Sequence, residues 1–185
     1  FIKSGSGVVA REFMNFFTED EIIFLSEKHH KIQTPNSRFH YINTTPLKFK
    51  KGNRFLHWQR WLLIPTIVNK IINIIENQKC DKIICTYPDE VYLLAASIAA
   101  KKLSIPIYPY FHNLYYENKD NISALAAKLI QQKIFKQAPW VYVISGGILS
   151  ELTPKYPETD FRILTNSTKV VKTINVNSST NNLKK

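Results

Sequence analysis

The feature that most constrains this sequence is a regular alternation of strand-like and helix-like segments between residues 80 and 166. An apolar strand at 80–85 is followed by a polar turn at 86–90 and by a helix of small residues at 91–103. A second strand at 105–111 leads into a loop, and the chain then reads helix, strand, helix, strand. Short strands separated by helices favour a parallel sheet that is covered on both faces. The sequence therefore predicts an α/β fold with a Rossmann-like, doubly wound and mostly parallel sheet.

The first third of the chain continues this alternation. We expect a helix at 8–17, strands at 21–25 and 39–42, and then a long helix. Along the long helix the apolar residues recur three and four positions apart, as on one helical face: Leu63, Ile67, Ile71, Ile74 and Ile75. That face should cover the sheet.

His112 and Asn113 follow directly after the strand at 105–111. In open parallel sheets, ligands bind at the carboxyl ends of the strands. A histidine at this edge can hydrogen-bond a ligand and stabilise developing charge. A loop histidine held by backbone groups fits the same pattern, so the residue type alone leaves both interpretations open.

Four short motifs, taken in order, resemble the N-terminal, acceptor-side domain of family 4 glycosyltransferases of the GT-B type (glycosyl transferase group 1). The resemblance covers nearly the whole chain. In this sequence they are Cys80-Asp81-Lys82-Ile83, Leu103-Ser104-Ile105-Pro106-Ile107 with His112-Asn113-Leu114, Ala138-Pro139-Trp140-Val141-Tyr142-Val143-Ile144-Ser145, and Ile163-Leu164-Thr165-Asn166.

The resemblance implies one lobe of a GT-B fold and a nucleotide-sugar-dependent glycosyltransferase of the retaining, metal-independent kind, without a cofactor. Such enzymes work in polysaccharide, lipopolysaccharide or glycolipid synthesis. The implied partners are a nucleotide-sugar donor, held mainly by a C-terminal domain, and a sugar or lipid-linked acceptor. The implied location is the cytoplasm, with peripheral attachment at the inner face of the membrane.

The resemblance also implies roles for individual residues. His112 would position the donor sugar and stabilise charge, because in this family the leaving diphosphate itself is thought to take the acceptor proton. The turn containing Gly5, Ser6 and Gly7 would contact the donor phosphate and shape the acceptor cleft, although an ordinary helix-capping turn fits the same residues. The remaining candidates belong to the acceptor cleft, namely Tyr87, Asn113, Tyr115 and Glu117, and to the inter-domain hinge, namely Asn166.

Two positions depart from the family pattern. Ser145 precedes Gly146 where the family often has Ser-Glu, which removes the expected acidic contact to a sugar. Asn166 precedes Ser167 in place of the usual glycine, so the hinge is expected to have a different shape.

The adjacent carboxylates Asp89 and Glu90 stand where the helix at 91–103 begins. Adjacent carboxylates make a poor acid–base pair, whereas carboxylates at a helix N-terminus complement its dipole. We therefore favour capping over catalysis for both residues.

The length of 185 residues suits one α/β domain. We expect residues 1–166 to form the acceptor-side domain without its first strand, and residues 167–185 to be a linker toward an absent donor-binding domain. In a doubly wound sheet the first strand lies near the centre, so its loss should expose apolar surface on a neighbouring strand. Such a fragment is not expected to turn over alone.

The net charge of +11 points to an anionic partner, such as phospholipid headgroups, a diphosphate-bearing acceptor, nucleic acid or an acidic second domain. The segment 54–63 mixes tryptophan, leucine and arginine as interfacial helices do. The start of a core-packed helix fits that segment as well. There is no run of about 18 apolar residues, so a transmembrane helix is not expected.

Cys80 and Cys85 lie too far apart along an extended strand to be bridged, and their spacing matches no metal motif. We expect both to be small core residues.

Two other functions remain open. One is a non-catalytic Rossmann-like module that binds a nucleotide or an anionic polymer, since fold does not settle function. A second α/β domain encoded after Lys185, with paired glutamates, would favour the enzyme, and a stop codon there would favour the binding module. The other is nucleic-acid binding driven by charge, which no motif supports and which should depend steeply on salt.

Overall fold

The computed structural model describes residues 21–27, 39–42, 61–86, 90–118 and 121–165. The strands are β1 (Phe24–Glu27), β2 (Phe39–Ile42), β3 (Ile83–Thr86), β4 (Ile107–Phe111), β5 (Val141–Val143) and β6 (Phe161–Ile163). The helices are α1 (Ile64–Gln78), α2 (Glu90–Leu103), α3 (Asn121–Gln137) and α4 (Gly146–Leu152), with a 3₁₀ turn at Tyr116–Asn118. None of the helices within these ranges is long and apolar enough to cross a membrane.

The strands form two parallel sheets. One has the order β3-β4-β5-β6, and in the other β1 pairs with β2. Each neighbouring pair in the larger sheet is joined by a helix, as parallel pairing requires. The prediction of an α/β chain built on a parallel sheet is confirmed.

The predicted apolar periodicity of α1 is also confirmed. Its buried residues are Ile67, Val68, Ile71, Ile74 and Ile75. Pro65 fits the first turn, where its missing N–H costs no hydrogen bond. The helix ends at Lys79, which takes the left-handed conformation with φ 54°, and the Cys80 N–H then donates to the Ile75 carbonyl at 3.0 Å.

Small residues let α2 pack closely against its neighbours. Ala95, Ala96, Ala99 and Ala100 are all buried, and α2 packs against α1, β3 and β4. Glu90 lies in the first turn, as the dipole argument predicts. The helix ends at Ser104, with φ 54°.

Three strands start later than the sequence predicts. The strand predicted at 21–25 is observed as β1, at Phe24–Glu27. For the other two, the reason is a preceding helix cap. The predicted strand 80–85 is observed as β3, because Cys80 is still bonded to the end of α1 and the first ladder bond runs from the Ile83 N–H to the Pro106 carbonyl. The predicted strand 105–111 is observed as β4, because the Ile105 N–H closes α2 on the Ala100 carbonyl. In both cases the helix cap uses residues that read as strand.

The two faces of β4 differ, since successive side chains alternate. Ile107 and Phe111 face the helices, and the Phe111 ring lies 5.3 Å from the Phe135 ring of α3. Tyr108 and Tyr110 point to the opposite face. There the pairing register sets one residue from each strand side by side: Thr86, Tyr110, Tyr142 and Arg162.

An apolar cavity of about 340 Å³ lies between β1 and β3, with Leu25 on one side and Ile84 on the other. The Ile83 N–H donates toward β4, so the backbone groups of Ile84 point to the opposite edge, toward this cavity. Ile84 is 39 % exposed, although a strand inside a parallel sheet is normally covered on both faces. β3 therefore carries an exposed apolar side chain beside this cavity.

Candidate functional site

The carboxyl edge of the four-stranded sheet lies where β3, β4, β5 and β6 end. Hydrogen bonds extend the ladder by one step at this edge. The Ile144 N–H donates to the Phe111 carbonyl at 3.1 Å, and the Leu164 N–H donates to the Val143 carbonyl at 2.8 Å. The backbone leaving β4 is therefore fixed up to Phe111, and His112 is the first residue after this anchored position.

His112 packs against Tyr110, the preceding residue on the same face of β4. The two ring centroids lie 4.2 Å apart with an interplanar angle of 46°. Tyr110 is itself fixed, because it is fully buried and its hydroxyl donates to the Leu164 carbonyl at 2.7 Å. The imidazole thus packs on the ring of Tyr110, which belongs to β4 and is hydrogen-bonded to the backbone just after β6.

Partial burial determines the charge state of this imidazole. Desolvation lowers the pKa of His112 from its ordinary value of 6.5, so the ring is neutral at neutral pH. Its Nε2 is buried and has no hydrogen-bond partner within the described ranges. A neutral imidazole with one unsatisfied nitrogen can donate to or accept from a hydroxyl group of a ligand.

Asn113 follows His112 and is exposed, so its amide is accessible at the same edge. Tyr115 is instead buried, with its ring 6.5 Å from that of Phe111. Its hydroxyl donates to Oε2 of Glu90 at 3.0 Å. Tyr115 therefore ties the loop after β4 to the first turn of α2, and only Asn113 of the two presents its side chain to solvent.

Glu117 turns away from the strand ends and toward α3. Its side chain is 8 % exposed, and its Oε1 accepts from Nε2 of Gln131 at 3.4 Å. Nζ of Lys155 lies 3.8 Å from the same oxygen. Oε2 of Glu117 is buried and has no hydrogen-bond partner in the described part of the chain. The structure thus groups Glu117 with α3 and the segment after α4, and gives it no hydrogen bond to His112.

Gln131 lies at the centre of a cluster of polar side chains that also contains Glu117, Lys155 and Tyr156. Gln131 is not identified by the sequence analysis. It is fully buried, accepts from the Tyr116 N–H at 3.4 Å and donates to the Tyr156 hydroxyl at 3.1 Å. Burial raises the pKa of Tyr156 to about 12, against a smaller lowering by the Gln131 hydrogen bond. A signal for Gln131 exists in the sequence, because it lies at helical spacing from Ala127, Ile134 and Phe135, which are all buried.

The face of the sheet that carries His112 also carries a stack of aromatic rings. The guanidinium of Arg162 lies 3.9 Å from the centroid of the Trp140 ring, and that ring lies 4.5 Å from Tyr108. Cation–π contact and ring packing hold these side chains in place. His112 therefore stands at the carboxyl end of a rigid aromatic surface.

Ser145 caps α4. Its side chain accepts from the Ile148 N–H at 3.4 Å, and its own conformation is extended, as expected of an N-cap. Gly146 and Gly147 form the first turn of that helix. This local role accounts for Ser145 without a ligand.

The other predicted site residues lie outside the described ranges: Gly5, Ser6, Gly7, Tyr87 and Asn166. Most of the segment 54–63 also lies outside them. The structure describes residues 61–63 at the end of that segment. Trp61 packs against the core, and Leu62 is exposed.

No cluster of three or more His, Cys, Asp or Glu side chains suited to a metal ion occurs among the residues that are described. Cys85 is buried, as predicted, and Cys80 is half-buried, with the pKa of its thiol raised by burial and by Asp81.

No model of a known protein family matches this sequence, and no curated protein matches it. The likeness to family 4 glycosyltransferases therefore stays a prediction based on four short motifs. Any function has to be inferred from the residues gathered at the carboxyl edge.

Proposed function

We propose that this chain is the acceptor-side lobe of a nucleotide-sugar-dependent glycosyltransferase with a GT-B, doubly wound architecture. The observation that supports this most directly is the position of His112. It follows β4 at the carboxyl edge of a parallel sheet, where ligands bind in folds of this kind. Its ring rests on Tyr110 and keeps an unsatisfied Nε2.

In this proposal His112 acts as a neutral hydrogen-bonding group. A half-buried imidazole with a lowered pKa stays uncharged at neutral pH, so it can bond a hydroxyl of the donor sugar without competing with the departing diphosphate for protons. A fixed dipole near the reacting carbon stabilises charge as it develops, because it needs no reorganisation during the reaction. The acceptor proton passes to the leaving diphosphate, and no metal or cofactor takes part.

Asn113 is the second residue of the proposed acceptor cleft, since it is exposed beside His112. Tyr115 and Glu117 support the loop in this proposal. Tyr115 fixes it to Glu90, and Glu117 fixes it to α3 through Gln131. The donor nucleotide would be held by a second lobe, whose closure would exclude water from the site. The proposed setting is polysaccharide, lipopolysaccharide or glycolipid synthesis in the cytoplasm, at the membrane surface.

The test uses the full-length protein encoded by the gene that contains this chain. It is incubated with radiolabelled UDP- and GDP-linked hexoses and a lipid extract of the source cells, and label in lipid or polymer is counted. We expect transfer from at least one donor, and loss of a hydrogen-bonding group at the reacting centre in His112→Ala should lower it by about 100-fold. Glu158→Gln, an exposed position after α4, serves as the matched control and should keep wild-type transfer.

Two results would overturn the proposal. One is binding of a sugar nucleotide without any transfer, which would favour the non-catalytic binding module. The other is undiminished transfer by His112→Ala, which would place the reaction elsewhere.

A further inference from the structure

The outer face of α3 is unusual for a helix that packs on a sheet. Its inner face buries Ala127, Gln131, Ile134 and Phe135. At 100° per residue, the opposite side carries a stripe that begins with two leucines on successive turns and ends with a lysine. We call this surface the α3 ridge, and it consists of Leu125, Leu129, Lys133 and Lys136.

The two leucines of the ridge are exposed to an extent that core packing does not explain. Leu125 is 62 % exposed and Leu129 is 59 % exposed. Single exposed leucines are common on protein surfaces, but adjacent ones rimmed by charges mark a contact surface.

The charge of the ridge is of one sign. The sequence of α3 contains no aspartate or glutamate. Lys133 also borders a groove of about 440 Å³ against α2, together with Ser97, Ile98, Lys101 and Lys102. The groove thus adds Lys101 and Lys102 to the two lysines of the ridge.

These lysines are not neutralised by nearby carboxylates. Lys101, Lys102, Lys133 and Lys136 make no ion pair within the described ranges. The ridge therefore presents positive charge at one end and an apolar surface at the other.

This combination fits one kind of partner. A second copy of the chain would bring two sets of lysines together, which is unfavourable. Nucleic acid would be bound by the lysines and would leave the leucines without a role. An anionic lipid bilayer would bind both the leucines and the lysines. The leucines would enter the acyl boundary, and the lysine side chains would bend so that their ammonium groups reach the lipid phosphates.

We infer that the α3 ridge attaches this domain to an anionic bilayer, with α3 parallel to the membrane surface. The attachment does not depend on the reaction. This places a membrane contact on α3.

The test is co-sedimentation of the full-length protein with vesicles of phosphatidylcholine alone or with phosphatidylglycerol added. We expect binding only to the anionic vesicles, weakened by salt. The double variant Leu125→Gln with Leu129→Gln should lower the partition coefficient by about tenfold or more. Lys133→Gln with Lys136→Gln should lower it by a similar factor, about tenfold.

Matched controls separate the ridge from the rest of the chain. Leu62→Gln removes another exposed leucine, 78 % exposed at the end of the segment 54–63, and should leave binding unchanged. Lys70→Gln with Lys79→Gln removes the same charge from α1 and should have a smaller effect than the ridge lysines. All the ridge positions are exposed, so circular dichroism should show folded variants.

Three outcomes would overturn the inference. They are no binding to anionic vesicles, unchanged binding of the leucine double variant, and loss of binding in Leu62→Gln alone. A lysine-dependent, leucine-independent affinity would also overturn it, because it would indicate a soluble polyanion as the partner. Sugar transfer is not measured in this assay, so its result is separate from that of the proposed function.

Discussion

The hydroxyl of Tyr115 donates a hydrogen bond of 3.0 Å to Oε2 of Glu90, across 25 positions in the chain. This bond connects the loop after β4 to the first turn of α2, so the ends of two neighbouring strands are held together by side chains as well as by the ladder. Because Tyr115 is buried, its hydroxyl has little access to solvent. The Tyr115–Glu90 hydrogen bond therefore stabilises the loop that carries His112.

Tyr115→Phe should lower the free energy of unfolding by about 1 kcal/mol, because it removes one hydrogen bond and leaves the ring packing intact. Urea denaturation measures this change. Tyr108→Phe is the matched control, since no hydrogen bond of the Tyr108 hydroxyl occurs in the described part of the chain, and it should change stability by less than about 0.5 kcal/mol. Equal losses in the two variants would contradict a bracing role for Tyr115.

Gln131→Ala should be much more disruptive than its position in a surface helix suggests. It removes the donor to the Tyr156 hydroxyl and the acceptor for the Tyr116 N–H, leaving partly buried polar groups without these partners. We expect a loss of about 2–4 kcal/mol in the free energy of unfolding. The neighbouring Gln132→Ala, which is only half-buried, should cost less than about 0.5 kcal/mol. A small effect of Gln131→Ala would show that the hydrogen bonds of Gln131 do not stabilise the packing of α3.

The helices and the parallel sheet could be predicted because their signals are local. The periodicity of Ile67, Ile71, Ile74 and Ile75 fixes the inner face of α1 whatever it packs against. Strand starts were less predictable for a physical reason. Cys80 and Ile105 read as strand residues, yet each donates its N–H to the preceding helix.

The candidate site was predictable only where position along a strand decides it. His112 follows β4 directly, so its placement at the carboxyl edge follows from strand direction. The direction of Glu117 did not follow, because it depends on how α3 packs against the loop and on Lys155, nearly forty positions away. Such contacts between distant segments leave no periodic trace in the sequence.

Acid should destabilise the protein partly through His112. Burial lowers its folded-state pKa below 6.5, so as the pH falls the unfolded chain binds the proton first. The contribution of the neutral His112 ring to the free energy of unfolding is thus complete above pH 6.5. It is lost as the pH falls through the folded-state pKa. His112→Gln keeps a polar side chain and removes this titration.

Urea denaturation of both proteins at about pH 8 and about pH 5 isolates the effect. The wild type should lose more stability between the two values than His112→Gln, since the other titrating groups are common to both. Imidazole NMR titration should give a His112 pKa below 6.5. An equal loss in the two proteins would mean that the ring is solvated.

Two helix ends should become more stable with glycine. Lys79 and Ser104 both have φ 54°, a left-handed conformation that crowds any side chain beyond glycine. Lys79→Gly and Ser104→Gly should each raise the free energy of unfolding by about 0.5–1 kcal/mol, the relief of strain exceeding the added entropy of the unfolded chain. The matched control is Lys70→Gly, an exposed position inside α1, which should lower stability by about 0.5–1 kcal/mol because glycine weakens helix interiors. Thermal and urea unfolding measure all three variants, and a loss of stability in Lys79→Gly would show that the lysine side chain contributes more at this cap than its backbone strain costs.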